Sequence, residues 1–371
     1  MTSKSLHSDP QSRLLSLDAL RGFDMFWITG GSYLIEVIAK HSGAAWLNPV
    51  VEQMDHVPWN GFHFYDLIFP LFMFISGVAI PFALVSQLEK KVPKSALAKK
   101  AITRGLILLL LGWFYNGVFS NGFENPRLPS VLGQIGLAYT FAALINIYSK
   151  SLKQRLFWLG GILAGIGILQ LLVPVPGVGA GVLTPEGCIN GYFDRMLVPG
   201  RLHGGVFDPE GLLCIVSAVT VTLMGSVAGH FLRDKKTNAR QKINTLLLFG
   251  VSAIALALAS STFYPIIKAC WTGSFNLLTA GIGFILITLF YWIIDVKGWK
   301  KWSFFFRVIG MNSIFIYLFQ RFFDMDKATK LILGWSVVLG DISELIMVAG
   351  EIMLVWLILY YMYKKKIFLR V

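Results

Sequence analysis

The amino-acid sequence predicts an all-α, polytopic membrane protein: a helical bundle of about ten spans with both termini in the cytoplasm. Three observations carry this. The 371 residues are 55% hydrophobic and 14% charged, too apolar a balance for a soluble domain of this size. The apolar residues fall in long blocks, each near the roughly 20 residues that a membrane span needs. Lysine and arginine crowd into every second loop, as the positive-inside rule requires of an even number of spans. That placement accounts for the net charge of +13 without a polyanionic partner. A lipid bilayer is expected around the chain, and nucleic acid is not.

In chain order the expected spans are 15–38, 63–86, 101–119, 130–148, 154–173, 209–231, 243–263, 273–295, 304–322 and 343–363. A cytoplasmic tail, 1–14, precedes them, and no small-residue cleavage site follows the first, which reads as an uncleaved helix. The basic side holds Lys90, Lys91, Lys94, Lys99, Lys100 and Arg104; Lys150, Lys153 and Arg155; Arg233, Lys235, Lys236, Arg240 and Lys242; Lys297, Lys300 and Lys301. Lys4 and Arg13, and Lys364, Lys365, Lys366 and Arg370 in the tail, join it. The sparse side holds only Lys40, Arg127, Arg195, Arg201, Lys268, Arg321, Lys327 and Lys330. Its two main loops, 39–62 and 174–208, therefore face outward. The second ends in "FDPEG", where Asp208 is expected to cap the sixth span with Pro209 at its first helical position. The segment 330–340 is apolar but too short to cross, so it is re-entrant or lies along the surface. No repeat relates the two halves, which counts against the common secondary-transporter designs.

Polar residues at the span ends are the candidates for chemistry. Asp66 stands early in the second span, where a charge costs ~2.5–3.5 kcal/mol if taken to the bilayer centre. His56 precedes it by ten residues, and the Asn60-Gly61 reversal can fold the imidazole back onto the carboxylate. A carboxylate on one imidazole nitrogen fixes the tautomer and leaves the other as a base near neutral pH. The bland alternatives are an exposed loop histidine and a structural interhelical hydrogen bond. His63 reads as an interfacial residue. Asp18, Arg21 and Asp24 are spaced three apart on one helix face, either as an interfacial ion-pair ladder or as the mouth of a pocket for an anionic cofactor. Arg104 reads as an anchor, and Gln134, Asn312 and Gln320 as hydrogen-bonding groups between helices. Trp46 and Trp59 are aromatic-belt residues or an apolar platform for a sugar ring. Cys188, Cys214 and Cys270 show no metal-ligand spacing, and a Cys188–Cys270 disulfide is conceivable on the outer side. No motif calls for a metal.

The stretches "SLDALRGFDMFWI", "HVPWNGFHFYDLIFPLFMFISG", "NPRLPSVLGQIGLAY", "GYFDRML…FDPEG", "CWTGSFNLLTAG", "DVKGW" and "GMNSIFIYLFQ" together resemble the heparan-α-glucosaminide N-acetyltransferase family. They run in the family's order from Ser16 to Gln320, so the resemblance covers nearly the whole chain. Each is weak alone; the ordered set is specific. It implies one transmembrane acyltransferase domain, 1–371, that moves the acetyl group of cytosolic acetyl-CoA to the amine of a glucosamine-type sugar across the membrane. It implies His56 as catalytic base, Asp66 as its partner, and Asn60 or a nearby N–H for the oxyanion. The expected cofactor-binding set is Asp18, Arg21, Arg104, Gln134 and Asn312, and the expected substrate contacts are Trp59, Trp46 and Glu210. A bacterial cytoplasmic membrane, a homodimer and a version without the animal proteins' large luminal domain are expected by the same analogy.

Two departures stand out. The stretch "WITGGS" lacks the asparagine that relatives often carry near the outer end of the first span, and Gln320 stands where the animal enzymes are expected to have histidine. The alternatives to an amino-sugar acetyltransferase are an amino-sugar transporter and an acyltransferase acting on another cell-envelope glycan.

Overall fold

Residues 14–120 and 124–369 are described by a computed structural model of the chain, and every regular element among them is a helix. The chain opens with α1 (Leu15–Phe26), a π-type turn (Trp27–Gly31) and α2 (Ser32–Ser42). Short α3 (Asn48–Glu52) leads to α4 (Phe64–Ile80), which runs through a second π-type turn at Pro81 into α5 (Ser86–Glu89). Then come α6 (Lys94–Tyr115), α7 (Val131–Tyr148), α8 (Leu152–Leu172) and α9 (Ile189–Leu197). The second half holds α10 (Leu212–Arg233), α11 (Ala239–Ser260) and α12 (Gly273–Phe290), the last extended by a π-type turn to Val296. It closes with α13 (Phe304–Gly310), α14 (Ser313–Phe322), α15 (Met325–Leu333) and α16 (Ile342–Lys364).

Among the described residues, seven helical stretches are long and apolar enough to cross a membrane: Phe64–Glu89, α7, α8, α10, α11, Gly273–Val296 and α16. Their outward faces carry bare apolar side chains, such as Phe157, Leu248 and Leu172, which suits hydrocarbon and not water. The protein is a multi-pass membrane protein. Three expected spans differ in kind from these seven. The first is broken where Gly30 takes φ 119° between α1 and α2. The third begins at Lys94, so Lys94, Lys99, Lys100 and Arg104 lie on α6 itself and not in a loop; lysine is a good helix former, and charge at an interface does not stop a helix. The ninth is split at Met311 and Asn312 into α13 and α14. Asn312 fills that break by tying down the tail: its Nδ2 donates to the Ile367 carbonyl at 3.1 Å, and Leu369 N–H donates to its Oδ1 at 3.0 Å. The segment 330–340 is the end of α15 and a 3₁₀ stretch, with Leu331 and Val338 exposed. Lys4, Arg13 and the rest of the tail 1–13, together with Arg370, lie outside the described residues.

The centre is a pair of helices pressed backbone to backbone. A Cβ on Gly77 of α4 would lie 2.0 Å from the Thr222 carbonyl of α10, and one on Gly225 would lie 2.0 Å from the Phe74 carbonyl of α4. Small residues permit this approach where no hydrophobic drive separates helix from lipid. Around that pair, α10 also packs on α7, α8 and α12, α6 lies along α7, α11 along α12, and α1 along α13. The α1–α13 crossing uses the same device, with Gly22 against the Phe306 carbonyl and Gly310 against that of Asp18. Hydrogen bonds stitch α10 to α12: Asn276 Nδ2 donates to Ser217 Oγ at 2.7 Å and to Thr220 Oγ1 at 3.0 Å. The effect is to fix the first turn of α4, and with it Asp66, in a rigid frame.

Candidate active site

Asp66 is the third residue of α4, and its side chain reaches back to the open end of the helix. Oδ2 accepts from the His63 N–H at 3.1 Å, as the acid of a capping box does, and from the Val57 N–H at 3.3 Å. Those two bonds curl the loop 57–63 over the carboxylate. Oδ1 is left for side chains: His56 Nδ1 lies 2.7 Å from it and Lys268 Nζ 3.2 Å. Only 2% of the Asp66 side chain is exposed, against 53% for His56. The acid is therefore buried and fully bonded, while the imidazole it holds faces out, over the ring of Tyr65.

Lys268 comes from the loop between α11 and α12, 212 residues from His56. Backbone pairing brings the two loops together: Gly61, at φ 125°, donates its N–H to the Ile266 carbonyl at 2.9 Å, and Asn60 bridges to Ile267. The far end of the Lys268 loop is pinned by Trp271, whose Nε1 donates to the Pro209 carbonyl at 3.0 Å and whose carbonyl accepts from Ser217 Oγ at 2.6 Å. Lys268 Nζ ends 3.0 Å from His56 Nδ1. Burial pulls the ammonium below the usual lysine value, and the Asp66 carboxylate opposes that pull.

His56, Lys268 and Glu210 form the polar rim of a cavity of about 220 Å³. Its walls are apolar and come from four helices: Met25 of α1, Phe69 and Phe72 of α4, Leu132 and Ile135 of α7, and Ile314 and Tyr317 of α14, with Ile28 in the turn after α1. A mostly apolar hollow with a few convergent polar groups is the usual make-up of a small-molecule site.

Glu210 belongs to a second network. Arg127 donates Nε to Asp208 Oδ2 at 2.9 Å and Nη2 to Asp208 Oδ1 at 2.7 Å, and Nη2 also bonds Glu210. Asp208 further accepts from the His203 and Glu210 N–H groups. Burial raises Asp208, and the Arg127 guanidinium more than offsets it, holding the carboxyl below the usual range. Burial and the Asp208 charge push Glu210 up to about 7. This corrects the expected start of the sixth span. Asp208 is engaged by Arg127 and does not cap it; the helix begins at Leu212, whose N–H is taken by Asp194 Oδ1 at 2.9 Å.

The remaining sequence candidates lie elsewhere. Trp59 is pinned by its Nε1 to the Leu183 carbonyl at 2.7 Å and packs edge-on against Phe207, while Trp46 is 74% exposed; neither lines the cavity. Asn60 is exposed and also off the cavity. Arg21 pairs with Asp18 at 3.6 Å and donates to the Gly310 carbonyl. Arg104 lies over the Tyr139 ring at 4.2 Å. Gln134, expected to bond across helices, is fully buried with no hydrogen-bond partner among the described residues, as is Asp24. None of Asp18, Arg21, Arg104, Gln134 and Asn312 lines the His56 cavity. Cys188 and Cys270 are buried free thiols packed in one cluster, not a disulfide. No group of three or more His, Cys, Asp or Glu side chains among the described residues is arranged to hold a metal.

No family model matches the chain. Curated proteins do. The chain is 27% identical to the mouse heparan-alpha-glucosaminide N-acetyltransferase over an alignment of 364 positions, which covers 83% of this chain and 54% of the relative. To the human protein of the same name it is also 27% identical, over an alignment of 369 positions that covers 84% of this chain and 53% of the relative. The relationship is at the family level. The chain spans about half the length of the curated relatives it matches.

The sequence singles out His56, Asp66 and Glu210, and counts Lys268, Arg127, Arg201 and Arg321 only among the eight basic residues of the sparsely charged side. Four of those eight line one of two pockets: Lys268 the first, and Arg127, Arg201 and Arg321 the second. A cation that stands against the charge bias of its loop is the signal that could point to them.

Proposed function

We propose that the protein is a membrane acetyltransferase that moves the acetyl group of acetyl-CoA to the amine of a glucosamine-type sugar, with His56 as general base. The observation that carries this reading is the buried Asp66 holding both His56 and Lys268 at the rim of an apolar cavity. Similarity to the two N-acetyltransferases supports the reaction class.

The chemistry follows from the hydrogen bonds. Nδ1–H of His56 donates to Asp66, so Nε2 carries the lone pair and takes a proton from the acceptor's ammonium. The neutral amine attacks the thioester carbonyl, and the carbon becomes tetrahedral. Lys268 supplies the N–H for the oxyanion that forms, a duty for which the sequence suggests Asn60 or a nearby backbone N–H. As the oxyanion collapses, the carbon–sulfur bond breaks, and the CoA thiolate leaves with the proton held by His56. The amide nitrogen gives up its remaining extra proton to solvent at the rim. The apolar walls suit the donor's acyl-bearing arm, and the ring of Tyr65 beside His56 offers a face for the sugar.

On this reading the chain is one domain of ten spans, with α1–α2, α6 and α13–α14 added to the seven long apolar helices. Both termini are cytoplasmic and the His56 rim faces outward, so Arg21 and Arg104 stand towards the cytosolic entry for the donor's nucleotide. The test is calorimetry and acetyl transfer with purified protein in detergent. Saturable acetyl-CoA binding and acetylation of glucosamine are expected; no binding at all would move the weight to amino-sugar transport, to be measured as uptake in proteoliposomes.

A further inference from the structure

A second pocket opens at the His56 end of the bundle, and its character is opposite to the first. It is polar, of about 330 Å³, and three arginines converge on it: Arg127, Arg201 and Arg321, with His203 and Tyr115 beside them. The three come from well-separated stretches, and backbone contacts hold them in place. Arg127 bridges to Gly200, Arg201 N–H donates to the Pro126 carbonyl at 3.1 Å, and Asn116 Nδ2 donates to the Arg127 carbonyl at 3.0 Å.

The three cations are not equivalent. Arg127 is spent on Asp208 and Glu210. Arg201 and Arg321 make no ion pair with a carboxylate among the described residues. Arg321 is oriented by its Nε bond to the Tyr115 carbonyl, 3.3 Å, and lies over the Tyr115 ring. Its outer guanidinium edge is thereby left to a ligand. Two unspent guanidiniums facing one polar hollow are a fork for an oxyanion.

The pocket shares walls with the His56 cavity at two points. Arg127 bonds Glu210, which lines the other side. Tyr115 stacks on Tyr317 at 4.7 Å and 16°, and Tyr317 is also a cavity residue. A ligand held by Arg201 and Arg321 therefore lies one side-chain layer from the reacting centre.

We propose that this pocket binds an oxyanion substituent of the acceptor sugar, a phosphate, sulfate or carboxylate, and so positions the amine at the rim of the His56 cavity. The preferred acceptor is then an anionic amino sugar and not a neutral one. This rests on the acetyl-transfer reading above, and the experiment separates the two.

The measurement is kcat/KM for glucosamine 6-phosphate divided by kcat/KM for glucosamine, with the purified protein and saturating acetyl-CoA. A folding defect lowers both terms together, so the ratio isolates the pocket. The wild type is expected to favour the phosphate by at least about tenfold, as one charge-assisted pair contributes. Arg201→Gln and Arg321→Gln are each expected to remove most of that advantage, and added salt to erode it. Equal efficiency for the two sugars in the wild type overturns the proposal. So does a loss in the variants that falls on the KM for acetyl-CoA, since the pocket would then hold the donor's phosphates. If neither sugar is acetylated, the transfer reading fails, and calorimetry with glucosamine 6-phosphate decides the pocket alone. Saturable binding lost in the double variant sustains it, and absence of binding refutes it.

Discussion

Two ion networks meet at the wall between the pockets, and they are built for different ends. In both, a buried carboxylate sits at the centre: Asp66 at 2% side-chain exposure and Asp208 at 0%. Asp208 is held by a bidentate arginine, itself only 16% exposed. A guanidinium cannot give up its proton at any relevant pH, so that network is a fixed strut. Asp66 instead holds an imidazole and an ammonium, both able to exchange protons, and both facing the cavity. The same kind of acid is paired in one network with a cation that keeps its proton and in the other with cations that can exchange theirs. Glu210 stands between, bonded to the strut and exposed to the cavity.

Exchanging the proton-carrying member should separate the two most sharply. His56→Ala is expected to lower acetyl transfer about 10³-fold, within the range for loss of a general base, while calorimetry finds acetyl-CoA affinity retained. Undiminished transfer would end the assignment of His56. The strut should fail the other way round. Arg127→Met leaves Asp208 buried and unpaired, a loss of about 3–5 kcal/mol, read as a large drop in melting temperature in detergent. If Arg127→Met melts like the wild type, the strut is not structural.

Smaller effects sharpen the contrast. Lys268→Met should reduce kcat about 10²-fold with little change in the KM for acetyl-CoA, since an oxyanion donor acts only in the transition state; a change confined to KM would make Lys268 a binding residue. The smallest effect concerns Glu210. Its pKa is raised in the fold, from an ordinary 4.5 to about 7, so the folded state holds this proton more tightly than the unfolded one. The stabilisation it gives is complete below about pH 4.5 and is lost as pH rises through about 7. Glu210→Gln should therefore flatten the fall of melting temperature between those values by a few degrees. An unchanged pH profile would show that Glu210 ionises normally.

Much of the scaffold could be read in the chain because hydrocarbon imposes a length and a composition. The expected 130–148 and 343–363 match Val131–Tyr148 and Ile342–Lys364 almost residue for residue. Errors arose where a polar residue had a tertiary partner. Asp208 looks like a helix cap until Arg127, 81 positions earlier, claims it. Asn312 looks like an interhelical bond until the tail residues Ile367 and Leu369 take both ends of its amide. The site divides in the same way. His56 and Asp66 are ten residues apart across a turn, so local geometry brought them together. Lys268 reaches them only because two loops pair through Gly61 and Ile266, a contact that no periodicity announces.

The tie between Asn312 and the tail gives the molecule a natural reporting point. Asn312 immediately precedes Ser313, Ile314 and Tyr317, which wall the cavity, and its amide grips the backbone of residues 367 and 369. A tilt of α14 on filling of the cavity is therefore expected to move residues 367 and 369 with it. A fluorophore attached just behind the grip would register occupancy from outside the bundle, with no label near the chemistry.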